Sequence, residues 1–148
     1  MTNNLNNSNV KVDLLNDTYF DIIIINDSKF LGTFKKSRAI GYGAFLNEVS
    51  VPVDSASKNS KLVCYRGEYF LDKLNGYAQY FNNPQEYYYE GEWANDYQSG
   101  FGIENFNDGS YYAGEFKKNK KHGFGYYQFK DGSFYKGSFQ NNSFCGFV

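Results

Sequence analysis

The sequence predicts an all-β fold built as a stack of antiparallel β-hairpins, and three observations predict it. First, one pattern of glycines and aromatics recurs at fixed offsets: Tyr89, Tyr112 and Tyr135 are 23 residues apart, and self-similarity at a short fixed period marks a repeat architecture. Second, in each copy a Tyr-x-Gly-x-aromatic stretch is followed nine residues after its glycine by a second glycine: Gly91 to Gly100, Gly114 to Gly123, Gly137 to Gly146. Third, the runs between turns are short, alternate in polarity and are rich in Tyr and Phe, 15 of each, as half-buried strands require.

The elements follow in order. Residues 1–9 hold five Asn and read as a flexible polar tail. Residues 10–29 read as N-terminal capping strands, Val10 to Leu15 and Tyr19 to Ile25, closed by the turn signal Asn26-Asp27-Ser28. The repeats occupy 30–148 and begin near 30, 65, 89, 112 and 135. The first is a fainter copy, Phe30-Leu31-Gly32-Thr33-Phe34 with Gly41-Tyr42-Gly43. Residues 44–63 interrupt the register: Val49, Val51 and Val53 alternate, Pro52 argues for an edge position, and a polar stretch follows, so an insertion in the form of a protruding hairpin or loop is expected. The second repeat, Tyr65-Arg66-Gly67-Glu68-Tyr69 with Gly76-Tyr77-Ala78, carries alanine where the others have the second glycine, and its exit turn Asn83-Pro84-Gln85-Glu86 is irregular. Repeats three and four are cleanest, and the fifth ends soon after Gly146, which predicts a last strand that is missing or very short.

Within repeat four the pattern predicts a strand over Ser110 to Phe116, a turn over Lys117 to His122, and a return strand over Gly123 to Phe129. Asp108-Gly109 and Asp131-Gly132 read as two-residue type I′ turns, which need positive φ at both central positions. Alternation puts Tyr112, Gly114 and Phe116 on one face and Tyr111, Ala113 and Glu115 on the other. A glycine under a neighbouring ring lets that ring lie flat on the backbone, which explains glycine where it weakens a strand. Structural glycines on this reading are Gly32, Gly41, Gly67, Gly76, Gly91, Gly100, Gly102, Gly109, Gly114, Gly123, Gly125, Gly132, Gly137 and Gly146.

Composition bounds the chemistry. A chain of 148 residues is at most one ordinary domain, and a formal charge of -1 gives no global field toward nucleic acid. The start of the chain lacks the basic and apolar segments of a secretory signal, and no run approaches the ~20 apolar residues of a membrane helix; an intracellular, cytoplasmic protein is expected. Cys64 and Cys145 fall about three repeats apart, so roughly 29 Å of stacked strands separates them and both are read as free thiols. No phosphate loop, metal-ligand spacing or nucleophile elbow is present. The chain therefore reads as non-enzymatic and without a cofactor.

The residues Tyr89/Gly91/Trp93/Gly100/Gly102/Gly109, Tyr112/Gly114/Phe116/Gly123/Gly125/Gly132 and Tyr135/Gly137/Phe139/Gly146, with looser copies from Phe30 and Tyr65, resemble the MORN repeat (membrane occupation and recognition nexus). The resemblance implies an elongated, twisted, single-layer antiparallel sheet. It also implies a scaffold or adaptor in a larger assembly, with cilia and the cytoskeleton among the family's settings.

Three surfaces are candidates for its partners. The rings Tyr65, Tyr89, Trp93, Tyr112, Phe116, Tyr135 and Phe139 form a ladder that reads first as core and second as an aromatic groove for a protein partner. The basic stretch Lys117, Lys118, Lys120, Lys121 and His122, echoed at Lys35, Lys36 and Arg38, reads either as a solvated turn or as a contact for an anionic membrane surface. The incomplete last repeat leaves an edge open to a partner strand or to a homodimer. Glu68, Glu90, Glu92 and Glu115 recur at analogous positions and read as a solvated strand face. The readings are a structural adaptor, a peripheral phospholipid-binding module, and an accessory chain to an enzyme in trans.

Overall fold

In the computed structural model, residues 12–13, 18–26, 28–50, 60–82 and 87–146 are described. The expected tail, most of the Val10 to Leu15 strand, residues 51–59 of the expected insertion and the exit turn at 83–86 lie outside them. Twelve strands form one antiparallel sheet in strict chain order: β1 Val12–Asp13, β2 Thr18–Ile25, β3 Ser28–Lys35, β4 Arg38–Ser50, β5 Ser60–Phe70, β6 Lys73–Asn82, β7 Tyr87–Ala94, β8 Tyr97–Phe106, β9 Tyr111–Lys117, β10 Lys120–Gln128, β11 Phe134–Gln140 and β12 Ser143–Cys145. Every connection between the described neighbours is a hairpin, and eleven inter-strand steps of ~4.8 Å make the sheet roughly 50 Å long. β4 and β5 are the longest hairpin arms, paired from Ile40↔Phe70 to Ser50↔Ser60, so residues 44–50 and 60–63 continue the sheet rather than leave it. Cys64 on β5 and Cys145 on β12 are free thiols.

A single sheet has no second layer to bury its rings, so the core has to be made on one face by the rings themselves. One row of paired positions crosses nine strands: Gly32, Gly43, Gly67, Ala78, Gly91, Gly102, Gly114, Gly125 and Gly137 are successive register partners from β3 to β11. The tyrosine rings lie on that row, as the spacing predicts. A Cβ added at Gly102 would run into the Tyr89 ring, one at Gly125 into Tyr112, and one at Gly137 into Tyr135. Lying flat, each ring leans over the intervening strand and reaches the next repeat: Tyr89 to Phe116 is 5.1 Å between centroids and Tyr112 to Phe139 is 4.9 Å. Strands two apart are separated by ~9.6 Å, so contact at this range needs that lean.

Each phenol then finishes on its own strand, Tyr89 donating to the Glu92 carbonyl at 3.0 Å, Tyr112 to that of Glu115 at 2.8 Å and Tyr135 to that of Ser138 at 3.1 Å. The other large rings stand opposite the first glycine of each Gly-aromatic-Gly: Tyr69 opposite Gly41, Trp93 opposite Gly76, Phe116 opposite Gly100 and Phe139 opposite Gly123. Repeat two departs because the Ala78 methyl fills the space above Gly67. Tyr65 is left half-buried, packed on Tyr80 at 4.6 Å and Trp93 at 6.1 Å.

The turns differ from the expected ones. Asp108-Gly109 and Asp131-Gly132 are not two-residue type I′ turns. In each, Phe106 or Phe129 accepts from the glycine three residues on, only the glycine has positive φ (Gly109 +88°, Gly132 +86°), and the loop has three residues with a glycine bulge. The type I′ geometry lies inside the repeats instead, at Lys36-Ser37, Leu71-Asp72, Asn95-Asp96, Lys118-Asn119 and Asn141-Asn142, where both residues have φ between 47° and 72° and none is glycine. The turn of repeat four is therefore Lys118-Asn119 and not Lys117 to His122, and Lys120 already pairs with Lys117.

Asx at the second turn position has a reason. Asp72, Asp96, Asn119 and Asn142 each accept through Oδ1 from the backbone N–H of a residue in the preceding repeat, Ala39, Leu74, Gln98 and Lys121, at 2.7–2.8 Å. Each also donates its own N–H to that residue's carbonyl at 3.0–3.1 Å. The four tips that carry Asp or Asn at this position are thus each clasped to the one before.

Candidate functional site

The sheet has a ring face, holding the core, and an outer face. Of the seven ladder rings, Tyr89, Trp93, Tyr112, Phe116 and Phe139 are 0–7% exposed. They are core, the first of the two readings of the ladder. Tyr135 lines a depression at the β11–β12 end of the sheet, and Tyr65 and Trp93 line open space on the ring face.

That space is a groove in two connected parts along the ring face. One part, of about 450 Å³, is floored by Phe30, Phe34, Phe45, Tyr65 and Tyr69 and edged by Asp72 and Asp96. The other, of about 320 Å³, is walled by Tyr65, Tyr80, Tyr87 and Trp93 and edged by Asp96, Gln98, Glu104 and Asn119. Tyr65 and Asp96 belong to both. The clasps turn one carboxylate oxygen of Asp72 and Asp96 onto a backbone amide, and neither has a cation beside it among the described residues. No Lys or Arg lines either part. The groove is aromatic in its floor and acidic at its rim.

Beside the groove sits a polar cluster. Glu104, 8% exposed, accepts from the Tyr87 hydroxyl at 2.6 Å and forms an ion pair with Lys121. Lys121 Nζ also lies over the Phe106 and Tyr112 rings, 5.1 and 5.3 Å from their centroids. Burial pushes the Tyr87 phenol well above its usual range, and its hydrogen bond to Glu104 pushes the same way. Burial, then the Glu92 carboxylate, does the same to Tyr89, and burial with Glu115 and Glu104 carries Tyr112 up to about 12. Phenols packed away from water, beside carboxylates, behave in this way.

The expected basic surface is divided by the same geometry. Lys117, Lys118 and Lys120 are exposed at the hairpin end and His122 is half-buried, but Lys121 is turned to the ring face and neutralised by Glu104. Of the recurring glutamates, Glu68 and Glu92 are exposed, and Glu92 and Glu115 bond to backbone. β4, β6, β8 and β10 each carry two extra residues against the preceding strand, at the first glycine of Gly-aromatic-Gly. Glu92 reaches the amide of Phe101 at 2.5 Å and Glu115 that of Phe124 at 3.0 Å, closing the bulges of β8 and β10. The aromatic between the two glycines is pushed outward in every described copy: Tyr42 is 62%, Tyr77 48%, Phe101 66% and Phe124 70% exposed. The sequence reading missed these outer aromatics, although their place between two glycines marked them.

Among the described residues, no group of three or more His, Cys, Asp and Glu is placed to hold a metal ion. No helix there is long and apolar enough to cross a membrane. No curated protein matches the chain. The MORN repeat family matches residues 65–83, 89–111 and 112–134, the repeats that begin at Tyr65, Tyr89 and Tyr112. The chain is a MORN-repeat protein.

Proposed function

We propose that this chain is a non-catalytic structural or adaptor subunit that holds a basic segment of a partner protein along the ring-face groove. The observation that carries the reading is the pairing of an aromatic floor with two carboxylates, Asp72 and Asp96, that have no cation beside them among the described residues. A lysine or arginine with an apolar neighbour fits both parts: the charge goes to Asp96, the stem and the apolar residue to Tyr65, Tyr80 and Trp93. Lys121 shows the same chemistry within the chain, a cation over two rings against a carboxylate.

The test is selection of binders from a random dodecapeptide library. The groove reading expects enrichment of Lys and Arg next to apolar residues, a change in Trp93 fluorescence on binding, and loss of binding in Asp72→Asn/Asp96→Asn. That variant keeps each clasp acceptor and removes only charge. Trp93 is the single tryptophan, so the signal has one source. Acidic or unenriched selections, or binding indifferent to the double variant, overturn the reading.

A further inference from the structure

The outer face carries a second, independent feature. Phe101, Phe124 and Phe134 are 66%, 70% and 63% exposed, with Ile103 and Tyr77 near half. Tyr77, Phe101, Ile103 and Phe124 surround a shallow depression of about 590 Å³ whose floor is the backbone of Gly91, Gly102, Gly114 and Gly125, and Phe134 adjoins it, stacked on Tyr126 with 5.4 Å between centroids. With roughly 150–250 Å² per aromatic side chain, these five residues leave about 500–600 Å² of apolar surface in one place. That is at the upper end of the largest patch on an ordinary monomer, ~300–600 Å². With the polar residues around it, it approaches the ~800 Å² each partner contributes to a standard interface.

We infer that this face docks on the same face of a second copy of the chain, sheet on sheet, about a two-fold axis along β9. The arrangement of one row of register partners carries this: Glu90, Ile103, Ala113, Tyr126 and Lys136 succeed one another from β7 to β11. The row has an acid at one end, a base at the other, an apolar residue inside each, and the small Ala113 in the centre. A two-fold axis along β9 exchanges β7 with β11 and β8 with β10. Glu90 of one copy then faces Lys136 of the other, twice; Ile103 faces Tyr126, and Ala113 faces itself where the sheets approach most closely. In the adjoining row Phe101 faces Phe124, and Glu115 between them is turned back onto the Phe124 amide.

The charges are available for this. Glu90 accepts hydrogen bonds from the hydroxyls of Tyr77 and Tyr88 but has no cation beside it, and Lys136 has no anion, among the described residues. Aligned sheets pack ~10 Å apart, a distance that the projecting phenylalanines fill.

The experiment is sedimentation equilibrium of the full chain, 17.0 kDa, from 1 to about 100 µM. A two-fold dimer of twice that mass is expected. Phe101→Ser/Phe124→Ser, at exposed positions and checked for unchanged circular dichroism, weakens it at least tenfold. Glu90→Lys and Lys136→Glu each weaken it alone, because each homodimer then sets like charges opposite each other. An equimolar mixture of the two single variants restores dimerisation, because both cross-pairs become opposite in sign. A chain monomeric at the highest concentration overturns the inference. So does a dimer that survives loss of the two phenylalanines, which would instead point to the β12 edge, or a mixture no tighter than its components. None of these outcomes bears on the ring-face groove, whose peptide test stands apart.

Discussion

Gly125 is glycine because the Tyr112 ring occupies the space of its side chain. Neither the backbone nor the ring can give way cheaply: the ring is held on its far side by Phe139 and at its hydroxyl by the Glu115 carbonyl. Gly125→Ala should therefore cost about 1–3 kcal/mol, the range for overpacking, by denaturant titration. Ala78 shows the natural outcome of the same change, a tyrosine moved off the row and left half-buried. Lys121 makes the opposite case, a polar residue whose removal matters because of what it leaves behind. In Lys121→Met the Glu104 carboxylate stays buried with only the Tyr87 hydroxyl on it, and a loss of about 3 kcal/mol is expected. Lys121→Met/Glu104→Gln should lose less than the single variant, since no charge is stranded. The glycine row was legible in the sequence because close approach excludes every other residue type. Lys121 was not, because a run of lysines looks the same whether the turn has six residues or two.

At the scale of the hairpin, the clasp decides how repeats are joined. Asp72, Asp96, Asn119 and Asn142 stand 24, 23 and 23 residues apart, so the period held their role. It was obscured because Asp-Gly is the stronger general signal for a type I′ turn. Here glycine serves the longer inter-repeat loops, and the tight turns use asparagine and aspartate, which tolerate positive φ and also reach the neighbouring repeat. The two contributions separate by substitution. Asn119→Gly keeps the conformation at φ +67° and loses the bond to Gln98 N–H, for about 1 kcal/mol; Asn119→Ala adds the strain of alanine at positive φ and should lose about 2 kcal/mol. Equal stabilities for the two variants would show that the bond, not the turn, carries the whole effect. The bulge glutamates were legible as a recurrence but not as a role, since a bulge offset by two residues leaves no mark in an alternating pattern.

Over the whole molecule, stability should follow the ring ladder from β3 to β11, because among the described residues each ring is covered only by its neighbours and the sheet has no second layer. The ladder consists largely of tyrosines, and this gives it a pH dependence of known sign. Tyr69, Tyr87, Tyr89 and Tyr112 have their phenol pKa raised in the folded state, mainly by burial, Tyr112 to about 12. A group raised in this way contributes stability that is fully present below its unfolded value of ~10 and is lost as pH rises through the folded value. The fold should accordingly hold from neutral pH to about 10 and fail between about 10 and 12, where the unfolded chain gains from ionising phenols that the folded one keeps neutral. Absorbance at 295 nm, which follows phenolate, should report Tyr69, Tyr87, Tyr89 and Tyr112 only together with the loss of the sheet's circular dichroism. Tyr112→Phe removes one such phenol with its bond to Glu115, so it should be less stable at pH 7 by about 1 kcal/mol and show a shallower alkaline decline. Phenols that all titrate together near pH 10, with the sheet intact, would mean that the rings are not packed on the glycine row.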